Sequence, residues 1–357
     1  MSHLRLASIV ALHALAAACG DACPLDVDAR ATDAADETQD ATTLAAETSP
    51  TDARPEELAD SHAGGLLTPC PAIRVTEGDT VAPRTKLHLI GSDPAVTAAE
   101  YQWRVDAPPG NTSRLLPSAS VADPTYEANV VGPYAFHLTA TDADGNSCTS
   151  HQLVRVIGDT AIYVELLWHT PGDLDESDEG SQLGSDLDLH FAHPFASGPD
   201  LDHDGEPDPW FHDLFDCFWS NDHPNWGSID PAANDNPALG REDGDGAGPE
   251  AISLAVPENV CYRIGVHAFT DHGFGESFAT LRIFLSGTLA FEAADVRLDK
   301  RDLWTVTDLC WPLAAPPTLT QVCAGTTTAC TSDLDCAPAT CGPRIAHDYA
   351  NPSYPPP

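Results

Sequence analysis

The residues best placed to do chemistry are acidic and lie between positions 186 and 250. In DLDHDGEPD, Asp200, Asp202 and Asp204 alternate, Gly205 follows, and Asp208 closes the run. Carboxylates at that spacing wrap a hard divalent cation, glycine permits the tight bend, and the Glu206 carbonyl offers a further oxygen. Phe211 stands where an EF-hand places its bidentate acid, and no flanking helices are predicted. The run therefore reads as an extracellular type of calcium loop. A second set consists of Asp186 and Asp188 in SDLDLH, with Asp243, Asp245 and Glu250 in REDGDGAGPE. Carboxylates brought together without a cation repel one another, so calcium is expected wherever these acids converge. The alternative is a series of separately solvated acidic turns.

Other chemistries find less support. His190 and His193, with His203, His212 and His223 nearby, invite a zinc reading. On a strand, however, His190 and His193 point to opposite faces, and no H-E-x-x-H is present. No G-x-S-x-G occurs, and no Ser, His and Asp group together. The chain is expected to have no catalytic residues and to be non-enzymatic. Aromatic residues near such a loop are more often core; of those here Trp210 and Trp226, set among Pro, Asp and Gly, are the best candidates for exposure, where they could stack on a ligand such as a sugar.

The elements that must position these acids are short strands. SDLDLHFAHP alternates, with Asp186, Asp188 and His190 on one face and Leu187, Leu189 and Phe191 on the other. Runs of this kind fill residues 67–158 and 159–313, separated by turn residues and without sustained helical periodicity. The fold class is all-β, with two antiparallel β-sandwiches, the first of immunoglobulin type and the second jelly-roll-like. Cys70 and Cys148, near the two ends of the first module, are expected to pair.

The first module resembles the PKD (polycystic kidney disease) repeat family as a divergent member. The residues that carry the resemblance are Leu87-x-Leu89-x-Gly91-Ser92, Tyr101-x-Trp103-x-Val105 and Gly132-x-Tyr134-x-Phe136-x-Leu138-x-Ala140. The resemblance implies a spacer or presentation domain. The second module is similar to an uncharacterised bacterial, myxobacterial-type extracellular family. Its motifs occur here at Asp186 to Pro194, Asp216-Cys217 to Gly227, Asp243 to Glu250, and Tyr262 to His267. That resemblance implies a fold and no reaction.

Fifty-five acidic and sixteen basic residues give a formal charge of −39, which excludes nucleic acid as a partner and favours divalent cations. Residues 1–18 read as a signal peptide: Leu6 to Leu15 is apolar, and Ala16-Ala17-Ala18 precedes Cys19. Leu15-Ala16-Ala17-Ala18-Cys19 resembles a bacterial lipobox, which makes Cys19 the lipidated residue and the lipid the only tie to a membrane. Ordinary cleavage at the same point is the alternative. There are eleven cysteines, and lipidating Cys19 leaves an even set that could all pair. Cys217, Cys261 and Cys310 are nevertheless odd within their module. Residues 19–66 lack the apolar content to fold and read as a disordered acidic tether. Residues 314–357 read as a Pro-rich tail with a small knot of Cys323, Cys330, Cys336 and Cys341, ending in an extended or disordered YANPSYPPP. Together these readings predict a secreted, lipid-anchored protein of the outer membrane or cell surface. Its expected role is structural or adhesive and calcium-dependent, toward a cell-surface or glycan ligand. The alternative is an extracellular hydrolase accessory or carbohydrate-binding protein.

Overall fold

A computed structural model describes residues 65–177, 184–241, 243, 246–312, 316–323 and 328–354. The expected signal peptide, Cys19, the expected tether as far as residue 64, and Asp245 lie outside the described residues. From Gly65 onward the described chain belongs to one compact unit. The structure is all-β; a single 3-10 turn, Asp333–Cys336, is the one helical element among the described residues.

Seven strands build the first sandwich: β1 (Arg74–Val75), β2 (Thr80–Val81), β3 (Thr85–Ile90), β4 (Glu100–Asp106), β5 (Thr125–Ala128), β6 (Gly132–Thr141) and β7 (Ser147–Val156). Sheet β1-β3-β5 packs on sheet β2-β7-β6-β4. All pairings are antiparallel except the short β2–β7 edge, which is parallel. Alternation sends Leu87, Leu89, Trp103, Phe136 and Leu138 inward, where they form one core with Val154 and Val156. Cys70 and Cys148 form the expected disulfide. The module begins slightly earlier than its composition indicates, because Gly65 and Leu67 already exchange backbone hydrogen bonds with Ser147.

The second sandwich contains β8 (Ile162–His169), β9 (Asp186–Ala192), β10 (Asp216–Cys217), β11 (Ala238–Arg241), β12 (Glu250–Leu254), β13 (Cys261–Thr270), β14 (Ser277–Leu285), β15 (Thr288–Leu298) and β16 (Leu303–Cys310). One sheet runs β11-β12-β8-β14-β15, and the other contains β10-β9-β13-β16. Between them lies the largest core: Val164 and Leu166 from β8, Leu189 and Phe191 from β9, Val266 from β13 and Trp304 from β16. A buried carboxylate of the second sandwich links it to the first. Glu165 accepts a hydrogen bond from the Val131 backbone N–H at 2.9 Å and pairs with Arg282. Val131 also packs with Tyr163, Ala251 and Phe284.

The tail corrects an expectation. Rather than standing apart, β17 (Thr318–Cys323) and β20 (Arg344–Ala346) both pair with β16 and extend the second sandwich. Two short strands, β18 (Ala329–Cys330) and β19 (Cys341–Gly342), pair with β17. The knot is closed by Cys323–Cys336 and Cys330–Cys341. The last segment is also docked: Tyr349 is fully buried and its ring packs near Phe211 and His267. A terminal tyrosine with an apolar body and a polar tip has a place to go here, which composition alone does not reveal. The odd number of cysteines in the second module is resolved by one of them staying free. Cys261 pairs with Cys310 directly across β13 and β16, and Cys217 is buried without a disulfide.

Candidate metal centre

Strand β9 organises the site. Its inward residues enter the core, and its outward residues Asp188 and His190 are also buried. The cover on this outer face is a second, smaller cluster formed by Trp210, Phe211, Phe218, Leu303 and Tyr349. Residues 193–237 and the C-terminal segment therefore form a lid over a polar strand face.

Trp210 and Trp226 belong to the interior, which corrects their expected exposure: each is 2% exposed. Trp210 lies against Gly265, where an added Cβ would come within 2.7 Å of the ring, so only glycine allows this approach. Trp226 stacks near Phe191 and Tyr262 and donates Nε1–H to the Leu214 carbonyl at 2.8 Å. Neither offers a face for stacking on a ligand.

The Asp200–Asp208 loop brings three carboxylates together. Oxygens of Asp200, Asp202 and Asp208 all lie within 4.8 Å of one another. The only other such group among the described residues is Cys323, Cys330 and Cys336, whose sulfurs are committed to disulfides. Asp204 is not in the trio. Positive φ at His203 (60°) and Gly205 (95°) turns the chain so that Asp204 accepts the Glu206 backbone N–H at 2.9 Å. Asp208 takes that place from the far side of the bend. It is 9% exposed, and its Oδ2 accepts hydrogen bonds from Leu201 N–H and Tyr349 O–H, both at 2.8 Å. Burial raises the Asp208 carboxyl above the usual carboxylate range, and the nearby charge of Asp202 adds to the rise. Asp200 Oδ2 accepts the Gly205 N–H at 3.1 Å, whereas its Oδ1 is buried with no hydrogen-bond partner among the described residues. An orphaned buried oxygen beside two more carboxylates fits a calcium ion, which binds oxygen ligands and offsets their charge. Arg344 lies 2.9 Å from Asp202 Oδ2 and 3.7 Å from Asp204 Oδ2, and the Asp208 charge also acts on Arg263.

A deeper set forms where the two sheets of the second sandwich meet. Strand β10 covers β9 only at Phe191 and Ala192, which leaves the Leu189 N–H on an open edge. Glu250, from β12 in the opposite sheet, reaches across and accepts that N–H at 2.7 Å. Its other oxygen accepts the Asp243 N–H at 3.2 Å. Glu250 is fully buried, and burial with the charges of Asp188 and Asp186 drives its carboxyl well above the usual range. Asp188 and Asp186 thus stand close enough for their charges to act on Glu250, while Asp243 meets it through its backbone N–H; the set does not gather its carboxylates as the loop trio does.

The histidines divide as strand geometry predicts. His190 lies on the outer face, with Nδ1 2.7 Å from Asp216 Oδ2 and its ring among Trp210, Phe211 and Phe218. His193 packs toward Trp226 and Tyr262 instead. The residue that reading along the chain misses is His267. It sits on β13 directly opposite Asp188 in the strand register, a relation visible only once β9 and β13 are paired.

No family model and no curated protein matches this chain. Four disulfides among the described residues fit a non-cytoplasmic compartment. Among those residues no helix is long and apolar enough to cross a membrane.

Proposed function

We propose that this chain is a non-enzymatic surface protein whose second sandwich presents a binding surface held in shape by calcium. The observation that carries this reading is the convergence of Asp200, Asp202 and Asp208, with a buried Asp200 oxygen that no protein donor satisfies. Residues 193–237 contain only the two-residue strand β10, so few backbone pairings hold them. A cation bound at one end would contribute folding free energy to the whole lid.

Further features support the same role. Phe195, Leu214 and Trp219 are exposed on this lid and supply apolar contact for a partner. A signal peptide over residues 1–18 with Cys19 lipidated would place the protein on the outer membrane or cell surface. Residues 19–64 would act as a tether there, and the PKD-like sandwich as a spacer. The partner class is a cell-surface or glycan ligand. The test is retention of the purified protein on intact bacterial cells and on a glycan array, with calcium and then with chelator. Calcium-dependent retention without hydrolysis of ester, peptide or glycoside substrates is expected. Retention indifferent to calcium, or turnover abolished by a carboxylate substitution, would overturn the reading.

A further inference from the structure

Behind the calcium loop, His267 and Asp188 form an arrangement that the loop does not explain. His267 Nε2 lies 2.8 Å from the Tyr349 carbonyl oxygen, which can only accept. A ring hydrogen therefore sits on Nε2, which leaves Nδ1 as the nitrogen that can offer a lone pair. Nδ1 faces Asp188 Oδ2 at 3.6 Å. His267 is 2% exposed and Asp188 1%, and neither of the facing atoms has a protein hydrogen-bond partner among the described residues. Two buried acceptors turned toward each other are unfavourable unless something positive lies between them. A separation of 3.6 Å is long for a direct hydrogen bond. It matches two ligands of one ion: nitrogen and oxygen each about 2.1 Å from a tetrahedral cation stand about 3.4 Å apart. The Tyr349 carbonyl is the outer partner that metal-bound histidines commonly have, fixing both tautomer and ring orientation. Glu250, pinned by the Leu189 and Asp243 amides, stands beside Asp188 and adds negative charge.

We propose that Asp188 and His267, backed by Glu250, bind a second divalent cation of the zinc, cobalt or manganese class, distinct from the calcium of the Asp200–Asp208 loop. An imidazole nitrogen in the set selects against calcium, which takes oxygen ligands. This ion would pin β9 to β13 and, through Tyr349, hold the C-terminal segment in place.

The test is cobalt titration of metal-stripped protein in excess calcium, followed by the visible absorption of bound Co2+. One cobalt per chain is expected, lost in His267→Gln and in Asp188→Asn, and retained in the double variant Asp200→Asn/Asp202→Asn. Cobalt uptake that survives both His267→Gln and Asp188→Asn, or that excess calcium prevents, would overturn the proposal. Wild-type crystals soaked in zinc give an answer that needs no variant. Anomalous density between His267 Nδ1 and Asp188 Oδ2 is the expected result, and its absence there contradicts the proposal.

Discussion

The two sandwiches differ in their buried acids, although exposed ones such as Asp235 are held down by protein donors in the second module too. In the first, carboxylates find protein donors. Asp142 accepts N–H bonds from Asp144 and Asn146, and Asp123 accepts from the Gly91 and Ser92 amides. Although burial pushes the other way, hydrogen bonds from Thr76 and His88 hold the Glu77 carboxyl at about 2. In the second, burial lifts Asp208, Asp216 and Glu250 above the ordinary carboxylate range, and Asp208 and Glu250 are raised further by other carboxylates. A high density of negative charge is therefore not in itself a site. What marks a site is a carboxylate that is buried, turned toward its own kind and short of donors.

The largest expected effect probes the apolar cores. Phe136→Ala and Phe191→Ala each empty a fully buried ring position and should cost about 3–5 kcal/mol. For Phe136 the loss, measured by urea unfolding, should be the same with calcium and with chelator. A calcium-dependent loss at Phe136 would break the contrast between the modules.

A smaller effect should appear in the pH dependence of the calcium-free protein. The Asp208 carboxyl is raised in the folded state, so its ionised form weighs against the fold. Stability should therefore fall as pH rises from the ordinary carboxylate range through the raised value. Asp208→Asn should flatten that fall and also abolish stabilisation by calcium. Melting in chelator between pH 4 and 7 checks this. An unchanged slope would show that the Asp208 charge is already balanced, for instance through Arg263.

The smallest effect has the opposite sign. Glu77 is depressed in the folded state, so its contribution is complete above its ordinary value of 4.5 and is lost as pH falls toward about 2. Glu77→Gln should soften the acid limb of the stability curve and leave the neutral region unchanged, whether calcium is present or not. A Glu77→Gln effect confined to neutral pH would contradict the assignment.

Much of the architecture is legible in local pattern. Alternation at Leu187, Leu189 and Phe191 and at Ile162, Val164 and Leu166 places these residues in the core they occupy, because strand periodicity is a short-range property. Clustering of Asp200, Asp202 and Asp208 is likewise legible, since all three lie within one loop. The absence of Asp204 from the trio is not, because it depends on the backbone bend at His203 and Gly205. Burial of Trp210 depends on Gly265 and on cover by Tyr349, both remote in the chain. The facing of Asp188 and His267 is set by the register of β9 against β13, and pairing of the tail with β16 is similarly long-range. These are non-local relations that no window of sequence contains.

The most direct measurement is thermal melting of the wild-type chain with calcium and with chelator, repeated on Asp200→Asn/Asp202→Asn. Calcium at about 100 times its dissociation constant should add about 2.7 kcal/mol to the wild type, raising its melting temperature by several degrees. The double variant should melt at one temperature in both conditions. Identical melting of the wild type with and without calcium would contradict the account, leaving the three converging carboxylates as an acidic turn balanced by Arg344 and water.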